Sequence, residues 1–154
     1  MRDSVDQAIR HIERSGLPTR TQGRIVREIA PDLPLVHSDK RALARILQLL
    51  LDNALKFDPN ENSVIIRAQP HSAEHIWLGV VDQGIGIARD QQELIFREFY
   101  QIDSSTTRRF GGSGVGLALV KLLCDRLNLS IQVESRPNKG SVFSLLLPIG
   151  QLEL

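Results

Sequence analysis

The stretch Gly111 to Leu117, GGSGVGL, constrains this chain more than any other. Four glycines within six residues make a backbone that can take up positive φ and lie close to a ligand. Around and after it, Val115, Ala118, Leu119, Leu122 and Leu123 recur at helical spacing, with Lys121, Asp125 and Asn128 on another face. The spacing predicts a helix opened by a glycine-rich turn, whose free N–H groups and positive dipole end suit a phosphate. An ordinary glycine-rich surface loop is the plain alternative. Two familiar phosphate motifs are excluded. No Lys-Ser/Thr follows the glycines, and Leu117 stands where the dinucleotide fingerprint requires its third glycine.

A chain of 154 residues can bury one substantial core, and a net charge of +1 advertises neither nucleic acid nor an anionic membrane as partner. Cys124 is the only cysteine, which excludes an intrachain disulfide; set among leucines, it reads as structural. Asn128-Leu129-Ser130 fits the glycosylation triplet, but the opening MRDSVDQAIRHIER has no signal-peptide core, so the match is taken as chance. No apolar run reaches membrane-spanning length. The expected setting is the cytoplasm, any membrane anchor belonging to a longer parent.

Along the chain, residues 4–14 read as an amphipathic helix with Val5, Ala8, Ile9 and Ile12 on one side. Residues 24–30, RIVREIA, alternate imperfectly and suggest an edge strand ended by Pro31 and Pro34. Ser38-Asp39 offers an N-cap for a helix over about 39–57, with Leu43, Ile46, Leu47, Leu50 and Ala54 as its buried stripe. Leu49, Asn53 and Lys56, at i, i+4 and i+7, share a separate stripe. Strands follow at 64–69 and 75–82, a helix at about 90–96, a long loop to Phe110, the glycine-led helix, and strands at 129–135 and 141–147 joined by RPNKG. Strands and helices mixed without strict βαβ alternation predict an α+β two-layer sandwich. The loop at about 97–112 is long enough to be a lid or binding loop.

Asp82-Gln83-Gly84-Ile85-Gly86-Ile87 closes an apolar strand. An acid beside a sharp glycine turn can accept a hydrogen bond from an exocyclic amine; a plain turn is the alternative.

Taken together, LLLDNALKF, DQGIGI, IFREFYQ, GGSGVGLAL and KGSVFSLLLP occur in one order at compatible spacings, from about Pro34 to Pro148. The set resembles the catalytic ATP-binding domain of sensor histidine kinases, within the gyrase, chaperone, histidine kinase and mismatch-repair ATPase superfamily. The resemblance implies a Bergerat-type fold: a mixed, mostly antiparallel sheet with helices on one face and an ATP lid. The catalytic domain would span 21–150, with 1–20 the end of a dimerisation region or a linker and 151–154 a tail.

The resemblance also implies roles. Asn53 is similar to the asparagine that coordinates Mg²⁺ on the phosphates, Lys56 to the phosphate-contacting lysine, and Phe57 to the aromatic beside the base. Asp82 would read the adenine amine, Gly84, Gly86 and Ile87 would shape its pocket, and Ser141 stands for the hydroxyl that holds Asp82 and a water. Arg109, in preference to Arg108, would reach the polyphosphate from the lid. Gly112, Ser113, Gly114, Val115, Gly116 and Leu117 would line the phosphates with backbone. Phe96 and Phe99 match an aromatic motif expected to pack rather than react.

One position departs from the pattern: Leu49 stands where the family usually carries a second asparagine, and a leucine neither binds metal nor abstracts a proton. The departure implies weak dependence of nucleotide binding on Mg²⁺ and slow phosphoryl transfer. His11, followed by Ile12-Glu13, lacks a phosphoacceptor context. The implied activity is therefore transfer of the ATP γ-phosphoryl to a histidine on a dimerisation domain outside these residues. The parent would be a homodimer serving a response regulator. A degenerate nucleotide-binding interaction module and an anti-sigma-type serine kinase are the alternatives.

Overall fold

Asp39 starts the longest helix of the computed structural model, which describes residues 10, 11, 14, 23–97 and 116–150. Its carboxylate accepts the N–H groups of Arg41 at 2.8 Å and Ala42 at 3.2 Å, satisfying two donors that a helix start otherwise leaves unpaired. The helix, α1 (Lys40–Lys56), buries Leu43, Ile46, Leu47, Leu50 and Ala54 as its periodicity requires, and Leu51 and Leu55 beside them. Phe57 closes it, its N–H bonded to the Asn53 carbonyl.

That stripe packs on a five-stranded sheet. The strands are β1 (Ile25–Ile29), β2 (Val64–Pro70), β3 (His75–Asp82), β4 (Ile131–Ser135) and β5 (Ser141–Pro148). Their order is β1-β2-β3-β5-β4, with β1 parallel to β2 and every other pair antiparallel. This is the expected mixed, mostly antiparallel α+β arrangement, with β1 at an edge. Strand alternation sends Val64, Ile66 and Ala68, Ile76, Leu78 and Val80, and Phe143, Leu145 and Leu147 inward, all 2% exposed or less. The last of the described helices, α2 (Gly116–Arg126), lies beside α1 and buries Val120 and Cys124.

Three sequence expectations change. Residues 90–96 form two 3₁₀ turns, Arg89–Gln91 and Leu94–Phe96, instead of one helix. Seven residues are too few to offset helix nucleation. The segment is instead fixed from outside: Gln92 Nε2 donates to the carbonyls of Ile87 at 3.1 Å and Ser135 at 3.0 Å, Ile95 is buried, and Phe96 meets Phe143 edge-on. Leu122, expected in the apolar stripe of α2, is 56% exposed. Val120 and Cys124, one turn apart, define the buried side, and a residue midway between them points away. The strand expected to begin at 129 begins at Ile131.

The amphipathic stretch 4–14 lies largely outside the described residues, where only Arg10, His11 and Arg14 are seen, helical and exposed. The loop from 98, Phe99 and the 151–154 tail lie outside them as well. Among the described residues no helix is long and apolar enough to cross a membrane.

Candidate functional site

The inward face of the sheet ends in a polar row. Asp82 pairs with Ser141 across β3–β5, and Ser141 pairs with Ser135 across β4–β5, so the three side chains share one end of neighbouring strands. Each lies in phase with the apolar residues of its own strand, which aims it at the helix layer. Asp82 is 8% exposed and Ser141 6%.

A carboxylate so placed needs donors. The N–H of Gly84 reaches Asp82 Oδ1 at 2.9 Å, and the Ser141 N–H also supports the charged form. Burial outweighs them. Loss of solvent, with a smaller push from the nearby Asp58 charge, raises the Asp82 carboxyl to about 6. Near neutral pH it is an anion with spare acceptor capacity, able to bind an N–H group that brings its own donor.

The chain after Asp82 is wedged against the end of α1. A Cβ on Gly84 would stand 2.5 Å from the Phe57 carbonyl oxygen, so only glycine permits this approach. That carbonyl accepts the Ile85 N–H at 3.1 Å, and the Ile85 carbonyl accepts the Asn138 N–H at 2.7 Å. Gly86 and Gly140 both have positive φ, and a Cβ on either would collide with backbone: Gly86 with the Arg136 carbonyl, Gly140 with that of Asp82. Ile87 is buried in the core cluster.

Ser135 and Gln92 were not singled out in the sequence. Ser135 Oγ accepts the Ile87 N–H, donates to the Gly140 carbonyl and touches Ser141 Oγ, each at 2.8 Å. It therefore joins the loop after β3 to the β4–β5 turn. No motif marks a serine ending a short edge strand; the signal is only its cross-strand position. An open cleft of about 660 Å³ reaches Asp82, Ser135 and Ser141 from the side of Arg89, Arg136 and Lys139. No residue of α1 lines it.

On α1, Asn53 is half-buried and Lys56 exposed, its ammonium 3.2 Å from Asp52 one turn earlier. Leu49 is half-buried and packs on the edge of the core cluster. Gly116 is the exposed first residue of α2, and Leu117 packs against the core. Arg109, Gly112, Ser113, Gly114 and Val115 lie outside the described residues. The other described candidates are brought to two places: the row at the end of the sheet, with Phe57 against it, and the stripe of α1 that carries Asn53 and Lys56. Cys124, with its thiol pushed up to about 11 by burial, is core.

Among the described residues no three His, Cys, Asp or Glu side chains gather as a metal site. The Asn53 amide oxygen fits a cation that arrives on phosphates and keeps most of its waters, which is how Mg²⁺ is commonly held.

Residues 38–151 match the profile of the family described as histidine kinase-, DNA gyrase B-, and HSP90-like ATPases. The chain is 38% identical over 119 residues to the sensor-like histidine kinase SenX3 of Mycolicibacterium smegmatis, a match covering 77% of this chain and 31% of that protein. It is 42% identical over 120 residues to the circadian input-output histidine kinase CikA of Thermosynechococcus vestitus, covering 78% and 16%. It spans less than a third of the length of either relative. The solved structure of the mycobacterial sensor histidine kinase MprB superposes with a TM-score of 0.71 at 25% identity, covering 96% of this chain and 95% of that one. The catalytic domain of histidine kinase ThkA, at 19% identity and a TM-score of 0.75, covers 97% and 92% and shows the same fold.

Proposed function

This chain belongs to the histidine kinase-, DNA gyrase B- and HSP90-like ATPases, and on that premise we propose that it is the ATP-binding catalytic domain of a longer sensor histidine kinase. The observation that carries the proposal is the buried Asp82 carboxylate, held at the end of β3 beside a glycine wedge.

In this reading the Asp82 anion accepts the exocyclic amine of adenine, while the carbonyl oxygen of guanine at that place repels it. Ser141 steadies the same edge with its hydroxyl. Gly84, Gly86, Ile87 and Phe57 shape the slot in which the base lies. Asn53 and Lys56 turn toward the polyphosphate from α1, Arg109 reaches it from the lid, and backbone N–H groups of Gly112 to Leu117 line it. The Asn53 amide oxygen would hold a Mg²⁺ ion carried by the nucleotide, which would supply charge neutralisation at the phosphates. Most of the catalytic contribution is then positioning and electrostatics, because the acceptor histidine is itself the nucleophile. That histidine would lie on the parent's dimerisation domain, and the phosphoryl group would pass on to a response regulator.

Titration calorimetry with Mg²⁺-ATP and Mg²⁺-GTP tests the reading. One ATP per chain is expected, with GTP bound at least about tenfold more weakly through the lost amine contact. A folded chain that binds neither nucleotide overturns it.

A further inference from the structure

We infer that Arg24 and Asp58, which no motif of the family resemblance includes, form a buried strut that positions the base-side wall of the nucleotide pocket. The inference rests on the ATP-binding reading of that pocket and extends it to two positioning residues.

Asp58 follows Phe57, directly after α1, and its side chain is fully buried. Oδ1 accepts the Asn60 N–H at 2.9 Å and Oδ2 the Asn62 N–H at 2.8 Å, which closes the turn between α1 and β2. Two backbone donors already satisfy much of this carboxylate, so capping alone does not account for a second charged residue.

Arg24, immediately before β1, is that residue. It is 8% exposed, its Nε donates to the Asn62 carbonyl at 3.1 Å, and one terminal nitrogen stands 3.9 Å from Asp58 Oδ2. That terminal nitrogen has no hydrogen-bond partner, a costly arrangement for a buried guanidinium. The Arg24 carbonyl meanwhile accepts the Val64 N–H at 2.7 Å. One residue therefore holds the turn to the start of the β1–β2 pair through both its side chain and its backbone.

The turn begins at the pocket wall. The Phe57 carbonyl, one residue before Asp58, receives the Ile85 N–H and faces Gly84 at contact distance. Gly84 in turn holds Asp82. A displaced turn moves the Phe57 carbonyl, and Gly84, with no slack against it, moves the donor on which Asp82 depends. The strut also acts through charge. Asp58 adds the smallest of the pushes that raise the Asp82 carboxyl, and the Arg24 guanidinium stands 3.9 Å from Asp58 Oδ2; the Gly84 and Ser141 N–H groups are neutral donors.

The experiment compares affinities for ATP and for inosine triphosphate, which replaces the amine by a carbonyl. The parent, Asp58→Asn, Arg24→Met and Arg24→Lys are titrated from about pH 5 to pH 8, with melting curves as fold controls. In Asp58→Asn and Arg24→Met, ATP affinity is expected to fall about tenfold and that for inosine triphosphate less than about twofold, as for one misplaced hydrogen bond. The pH at which ATP affinity is half lost should move down in Asp58→Asn, where a negative neighbour is removed, and up in Arg24→Met, where the cation beside that neighbour is removed. A purely structural role lowers the folded fraction and leaves both the ratio and the midpoint alone. If Arg24→Met does not fold, Arg24→Lys carries the test: it keeps the charge but loses the Nε donor to Asn62, and should show a reduced ratio. Folded variants with the parental ratio and midpoint overturn the strut alone. A parent that binds neither nucleotide overturns the reading of the site, and the strut with it.

Discussion

Asp82 and Lys56 are the two ionisable residues on which the proposed pocket most depends, and they are held in opposite ways. Asp82 is 8% exposed, anchored by backbone donors at a strand end and hemmed in by glycines that admit no side chain. Lys56 ends a helix in open solvent, tied to Asp52 with both side chains more than a third exposed. A buried charge must be satisfied by the fold before any ligand arrives, so its surroundings are preorganised and strained. An exposed one is satisfied by water and can leave its partner for a phosphate at little cost. In the proposed site, recognition of the base and grip on the phosphates would therefore draw on different reserves of stability.

The largest effect should come from the glycines of the buried side. Gly140→Ala places a Cβ against the Asp82 carbonyl at a φ of +79°. The backbone conformation alone costs about 1–2 kcal/mol, and the collision should bring the loss to roughly 2–4 kcal/mol by urea unfolding. Gly116→Ala, with open space around it, should change stability by under about 1 kcal/mol and in the favourable direction. Equal losses at both positions would break the contrast.

Asp82→Asn should separate binding from stability. The carboxyl titrates near 6 in the folded domain against 3.8 in an ordinary chain, so the folded state holds the proton more tightly. That contribution is fully present below the unfolded value and is lost as pH rises through about 6. Above it the buried charge costs about 1–3 kcal/mol, which asparagine removes. The variant should therefore be the more stable protein at pH 8 and no more stable at pH 3.5, while ATP affinity at pH 8 falls by about 1–3 kcal/mol. Melting temperatures across pH, beside calorimetry, check both signs.

Leu49→Asn probes the border between the two regions, since Leu49 shares the stripe of Lys56 but packs on the core edge. The expected cost is about 1–2 kcal/mol of stability. A stronger Mg²⁺ dependence of ATP binding should accompany it, measured with metal and with chelator. The smallest structural effect belongs to Lys56→Ala, under about 0.5 kcal/mol, because an exposed i,i+4 pair contributes little. ATP affinity should nonetheless drop about tenfold and adenosine affinity stay unchanged, the mark of a charge used on phosphate alone.

How legible each region was follows from the same difference. The helix stripe could be read directly, because Leu43, Ile46, Leu47, Leu50 and Ala54 obey a local period and Asp39 caps the helix through its own next residues. The glycines at 84 and 86 were visible as a turn. That one abuts a helix carbonyl and the other the Arg136 carbonyl of the β4–β5 turn was not. The helix expected at 90–96 failed because Gln92 and Ile95 answer to partners far away in the chain, which override a weak local preference.

By itself the sequence determined the fold class, the family, the long helix with its two faces, and the order in which strands and turns follow. The family rests on the resemblance of five motifs in one order; the rest depends on periodicity and on residues within a few positions of one another. Only the tertiary structure decided that Ser135 extends the Asp82–Ser141 pair into one row, that it joins two loops, and that Arg24 meets Asp58. Strand register brings together residues separated by dozens of positions, and nothing local in the chain encodes which polar groups then share a buried space. The demand that each buried polar atom find a partner is met, or left unmet as at Arg24, only once the whole sheet has closed.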